Sequence, residues 1–198
     1  MTSTTDVRTR ILQAAQSEFA AYGLAGARID RIARTAAASK ERLYAHFTDK
    51  AALFEAVLAA RVAEFQGAMV LDPEDVAAFV GDVFDHTLHH PDILRMLTWA
   101  RLEGFEYELP GLTSSPDSML EGLREAQRRG AVDSAWEPEE LISLLFGIAN
   151  AWAQSPRASL RNGSAASLAA HRAAAVEAGR RLVAPVPEPP VHRSVTCR

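Results

Sequence analysis

Residues 28–50, Arg-Ile-Asp-Arg-Ile-Ala-Arg-Thr-Ala-Ala-Ala-Ser-Lys-Glu-Arg-Leu-Tyr-Ala-His-Phe-Thr-Asp-Lys, constrain this chain more than any other stretch. Ile29, Ile32, Ala33, Leu43 and Phe47 are spaced so that two short helices joined by a tight turn would bury them in a small core. Arg28, Arg34, Lys40, Arg42, His46 and Lys50 fall on the outward positions. A helix-turn-helix requires that division, because one face holds the motif together while the other meets a polyanion. Its second helix enters the major groove with its N-terminal residues at the base edges, which puts Lys40, Glu41 and Arg42 nearest the bases and Ala45 one turn further on. Lysine or arginine can grip O6 and N7 of guanine, and glutamate can accept from the cytosine amino group. The same residues would also suit a solvated basic face with Tyr44 packed in a miniature core.

With the helices before and after it, this stretch resembles the TetR family of bacterial one-component repressors over roughly residues 6–65. The resemblance rests on Ile32-Ala33, on Ser39-Lys40 opening the second helix, on Leu43-Tyr44-Ala45-His46-Phe47, and on Lys50 followed by Leu53-Phe54. It implies that Tyr44, His46 and Lys50 hold backbone phosphates, helped by Arg28 and Ser39; such contacts set register without reading sequence. Two positions depart from the family pattern. The turn usually carries glycine then valine, where this chain has Ala37 and Ala38, and the first motif helix usually follows a threonine cap, where this chain has Arg28. Ala37 is costly if the turn needs positive φ, and Arg28 gives up a side-chain cap.

The net charge of −4 over 198 residues suits a DNA binder only once it is divided. Residues 1–50 hold eight Lys or Arg against five Asp or Glu, and the remainder is acidic. A basic head on an acidic body suits DNA at one end, since phosphate affinity follows local charge. Hydrophobic content of 48% excludes a mainly disordered chain. No apolar run approaches the ~20 residues that span a bilayer, the N-terminus lacks a secretion signal's apolar core, and the single cysteine, Cys197, offers neither an internal disulfide nor a cysteine metal site. A cytoplasmic protein away from membranes is the expectation.

Helical spacing recurs throughout and strand signals are almost absent. The spacing predicts a first helix over about 5–22 stopped by Gly23, motif helices over 29–36 and 39–46, and a fourth helix capped by Asp49 and long enough to couple head and body. Asp72-Pro73-Glu74-Asp75 opens the body. Further helices are expected to the histidines before Pro91, from Asp92 to about Glu103, and over 116–129. The last two are an apolar helix through Leu144 to Trp152, stopped at Pro156, and an alanine-rich one over 165–183. The expected organisation is all-α: a three-helix DNA-binding head over 1–50, a helical ligand-binding and dimerisation domain over 51–184, and a disordered tail over 185–198.

Phe79, Phe84, Met96, Trp99, Phe105 and Trp152 lie on helices that would surround a central cavity, and the family resemblance implies a small effector there; Asn150 or Thr98 would orient it. Aromatics at helical spacing are also ordinary core. Asp82, His86 and His89 share a helix face in a metal-like pattern, but histidines in a last helical turn also simply favour the helix dipole, and no metal is assigned. No Gly-rich phosphate loop, Gly-x-Ser-x-Gly or His-Glu-x-x-His occurs, so neither catalytic residues nor a cofactor are expected.

The resulting expectation is a homodimeric repressor, paired through helices near 138–155 and 165–183, that binds double-stranded operator DNA and is released by a small hydrophobic effector. The rivals are a ligand-independent repressor with a filled core and an all-helical enzyme using the same cavity.

Overall fold

The computed structural model describes residues 4–104, 117–157 and 163–186. Within them the chain forms nine α-helices and no strand: α1 (Thr4–Gly26), α2 (Ile29–Thr35), α3 (Lys40–Tyr44), α4 (Lys50–Ala68), α5 (Val76–His89), α6 (Pro91–Leu102), α7 (Asp117–Arg128), α8 (Pro138–Asn150) and α9 (Ala165–Val183).

In α1, Val7, Ile11, Ala15 and Phe19 are buried at helical spacing, and the Phe19 ring meets Phe54 of α4 edge-on with centroids 4.9 Å apart. Gly23 ends the regular helix at φ 67°, as its sequence position predicts, and one further turn runs on to Gly26. Asp49 caps α4 through the Ala52 N–H at 2.8 Å. The body opens slightly later than its sequence implies. Asp72 accepts from the Glu74 N–H in a preceding turn, and Asp75 is the residue that caps α5, through the Ala78 N–H at 3.1 Å. Pro91 and Pro138 occupy first turns of α6 and α8, where no N–H is needed. α8 ends at Asn150, short of Pro156.

The buried side chains fall into two clusters. One joins α1 to α4 as far as Val62 and also takes in Met96 and Ala100 of α6. The other unites Leu71 with α5, α7, α8 and α9. The first packing unit is therefore larger than the helix-turn-helix, and α4 and α6 are the struts between it and the body. α9 packs tightly on α5: a Cβ at Gly81 would lie 2.7 Å from the Arg172 guanidinium, and one at Gly179 would lie 2.7 Å from Val80. Within the described residues no helix is long and apolar enough to cross a membrane.

Candidate nucleic-acid interface

The turn of the motif departs from the glycine rule and keeps its hydrogen bonds. After α2, the Ala37 N–H donates to the Arg34 carbonyl at 3.2 Å and the Ala38 N–H to the Ala33 carbonyl at 2.9 Å. That is the paired closure of a Schellman ending, whose left-handed position glycine normally fills. Here Ala37 fills it, at φ 49°, and is the one non-glycine residue with positive φ among those described. The strain anticipated from the sequence is present.

Arg28 precedes α2 in extended geometry and makes no side-chain cap. A buried carboxylate serves this junction instead. Glu18 of α1 accepts from the Arg28 N–H at 2.8 Å and from Arg31 Nε at 2.8 and 3.0 Å, while the Arg31 guanidinium lies 4.3 Å from the Tyr22 ring centre. Burial pushes the Glu18 carboxyl up, but the Arg31 hydrogen bond, the Arg28 N–H and both positive charges together hold it below the usual carboxylate range. Glu18 thus fixes α2 to α1 as a charged anchor that the sequence reading missed; a lone acidic residue on an otherwise apolar helix face was its only signal.

Ser39 caps α3, its Oγ accepting from the Arg42 N–H at 3.2 Å. Buried Leu43 and Phe47 fix the helix, leaving Ser39, Lys40, Glu41, Arg42, Tyr44 and Ala45 exposed. His46 is half-buried beside Phe47, with ring centroids 6.3 Å apart. Arg28, Arg34 and Arg42 are exposed and form no ion pair with any described residue. Arg8 of α1 joins this group, its guanidinium 5.5 Å from the Phe47 ring centre. Two lysines are engaged within the protein. Lys40 is paired with Asp30 of α2. Lys50 donates from Nζ to the carbonyls of Ala25 and Ala27, both at 3.1 Å, and so ties the start of α4 to the end of α1.

The residues expected around an effector divide between the two clusters. Phe79 and Phe84 are buried in the body, where Phe79 and Phe65 both contact Phe146, at 5.5 and 5.8 Å, and Phe84 meets Trp152 at 6.3 Å. Met96 is buried in the head-side cluster instead, and Trp99 packs against Gly23 of α1. The cause is the rotation of α6, which turns this face toward α1. Asn150 accepts from the Thr87 hydroxyl at 2.8 Å and donates to the Phe146 carbonyl at 2.9 Å, so both ends of its amide are used internally. Thr98 returns its hydroxyl to the Leu94 carbonyl at 2.8 Å. Phe105 lies outside the described residues. The histidine pattern is spent elsewhere: His86 packs on Phe65, His89 Nδ1 lies 2.6 Å from the Asp85 carbonyl, and Asp82 approaches Arg172 at 4.0 Å.

Residues 11–57 match the family model for the N-terminal domain of bacterial regulatory proteins of the tetR family, and residues 75–181 match that for a tetracyclin repressor-like C-terminal domain. The chain is 37% identical over 152 residues to the HTH-type transcriptional repressor SCO4008 of Streptomyces coelicolor, covering 74% of this chain and 77% of that one. The solved structure of SCO4942 from the same species is 39% identical and superposes with a TM-score of 0.77, covering 92% of this chain and 99% of the other. The transcriptional regulator FadR of Bacillus subtilis, solved with stearoyl-CoA, shares the fold at 14% identity and a TM-score of 0.61, covering 88% of this chain and 98% of the other. By its two matched domains and its relatives, this chain belongs to the TetR family of DNA-binding transcriptional regulators.

Proposed function

We propose that this protein is an operator-binding repressor that acts as a homodimer and is released by a largely hydrophobic small molecule. The observation that carries the reading is the exposed first turn of α3, Lys40-Glu41-Arg42, held by a buried Leu43 on a face that also exposes Arg28 and Arg34. In this reading Arg42, Lys40 and Glu41 meet base edges, with Ala45 beside them. Tyr44, His46, Ser39 and Arg28 meet phosphates, and Lys50 acts first as the brace between α1 and α4. The effector would enter among Phe65, Phe79, Phe84, Phe146 and Trp152. Because Phe65 belongs to α4, a ligand that separates Phe65 from Phe146 displaces the helix whose first residue grips α1. Its power over DNA binding is limited to its preference for the displaced conformation. The stearoyl-CoA complex of FadR supports the capacity of the fold for an apolar ligand.

A filled core is the second reading, favoured by the burial of Phe79 and Phe84 and by the fully used amide of Asn150. One experiment separates the two. Duplexes selected from a random pool by the full-length protein should share an inverted repeat, as a two-fold dimer requires. Long-chain acyl compounds and aromatic acids are then titrated while Trp152 fluorescence and binding to the selected duplex are followed. A quench accompanied by release supports the induced repressor. Selection of a repeat without any responsive ligand supports the filled core, and no enrichment at all rejects both.

A further inference from the structure

Asp30 lies on α2 in the middle of a basic surface, two residues after Arg28 and four before Arg34, both exposed. Its carboxylate reaches across the motif to the ammonium of Lys40, the first residue of α3. A carboxylate here is unfavourable for meeting a polyanion, and neither partner gains much stability from the pairing, since about half of each side chain stays in water (54% for Lys40, 50% for Asp30). The Lys40 hydrogen bond, helped by the charges of Lys40, Arg28 and Arg34, holds the Asp30 carboxyl below its ordinary range, so it stays ionised wherever DNA is bound.

We infer that Asp30 is a specificity-determining positioning residue, which neutralises Lys40 toward phosphates and leaves its remaining N–H groups for base acceptors. The inference rests on the DNA-binding role assigned to α3. An unpaired lysine at a helix-turn-helix is attracted to any phosphate, releases a counterion and raises affinity for every sequence equally. A lysine already paired with a carboxylate adds little net charge to the surface, so its approach to a phosphate releases little counterion. An ammonium has three donors and the carboxylate occupies one side, so the others can still meet O6 or N7 of guanine. The pair therefore lowers sequence-independent affinity while keeping the base contact.

The test uses the full-length protein, a mixed-sequence 40-base-pair duplex, and a duplex selected by the wild type from a random pool, titrated from 0.05 to 0.5 M salt. Asp30→Asn should steepen the salt dependence on the mixed duplex by about 0.9, equivalent to about fivefold tighter binding at 0.15 M salt, as one added phosphate contact requires. Discrimination between the two duplexes should narrow by about the same factor. Asp30→Glu should restore the wild-type slope, and Lys40→Ala added to Asp30→Asn should abolish the gain. Thermal melting of each variant reports its folding. An unchanged slope for folded Asp30→Asn overturns the inference, as does a gain that survives Lys40→Ala, since Asp30 would then merely repel DNA. A wild type that binds but selects no sequence overturns it too, and rejects the repressor reading at the same time; altered slopes alone cannot do the latter.

Discussion

The carboxylate of Glu103, just past α6, accepts the backbone N–H of Leu24, the first residue after the break in α1, at 2.9 Å. It also accepts the Ala25 N–H at 3.2 Å. About one and two helical turns earlier, on α6, Trp99 packs against Gly23 and Arg95 Nε donates to the Ala20 carbonyl at 3.0 Å. With Lys50 on the carbonyls of Ala25 and Ala27, residues 24–27, which lead into the helix-turn-helix, are held by Glu103 through N–H groups and by the start of α4 through carbonyls.

That clamp leaves no room for a side chain at Gly23. A Cβ there would collide with the Glu103 carboxylate and come within 2.9 Å of the Trp99 ring, and φ is 67° besides. Gly23→Ala should destabilise the fold by about 2 kcal/mol or more, combining overpacking with strain in a positive-φ extended conformation that essentially only glycine adopts. Urea denaturation measures it; a midpoint equal to wild type would mean that α6 does not press on α1.

The opposite substitution should help at the motif turn. Ala37 adopts φ 49° in the position where a Schellman ending normally has glycine. Left-handed strain of about 1 to 2 kcal/mol is relieved in Ala37→Gly, offset by about 0.4 to 1 kcal/mol of unfolded-chain entropy. A net gain of roughly 0.5 to 1 kcal/mol should appear as a higher melting temperature, and loss of stability would contradict the turn geometry.

Arg42 and Lys50 should separate in a binding assay. Arg42→Ala should cost about 1 to 3 kcal/mol on the selected duplex and relax preference at one position, with little change in melting. Lys50→Met removes the donor that satisfies two carbonyls, so it should lower both stability and affinity for every sequence. A Lys50→Met protein that melts like wild type while losing only salt dependence would make Lys50 a plain phosphate contact.

Leu144 on α8 is 42% exposed beside Trp136, on a helix whose opposite face is buried by Ile142 and Ala149. Leu144→Glu is expected to give a folded monomer that no longer holds an inverted repeat. Light scattering decides this, and a dimer of unchanged mass would move the self-association surface elsewhere.

Acid should weaken the α4–α5 seam before it reaches the head. Burial first, and the charge of His90 second, lower His86 below its ordinary 6.5, and both its ring nitrogens are buried without a partner among the described residues. The unfolded chain then binds the proton more readily, so this contribution is complete above about 6.5 and is lost as pH falls through the lowered value. Glu64 on α4 opposes the shift, and His89 reinforces it. Glu18 contributes in the same direction only below 4.5, where its own lowered carboxyl titrates. Urea midpoints should therefore fall between pH 7 and 5 in the wild type and fall less in His86→Leu. Parallel curves for the two proteins would remove His86 from the account.

Local chemistry was legible in the amino-acid order. Asp49 caps the helix it was expected to cap, Ser39 stands at the start of α3, Gly23 breaks α1, Ala37 bears the strain its turn demands, and Leu43 and Phe47 are buried while Lys40, Glu41 and Arg42 stay out. Each of these depends on neighbours within one or two helical turns, and a helix repeats its geometry every 3.6 residues. Tertiary structure alone decided how the helices are rotated against one another. Met96 and Trp99 were grouped with Phe79 and Phe84 because all are apolar and helical, but the turn of α6 toward α1 sends them to the head. Lys50, basic and beside the motif, was expected to meet phosphate; that its Nζ also reaches back 25 and 23 residues to the carbonyls of Ala25 and Ala27 could not be read from its place in the sequence. Glu103 meets Leu24 across 79 residues of sequence. Periodicity states which face of a helix is apolar; only packing determines which neighbour that face meets, and which charges are consumed holding it there.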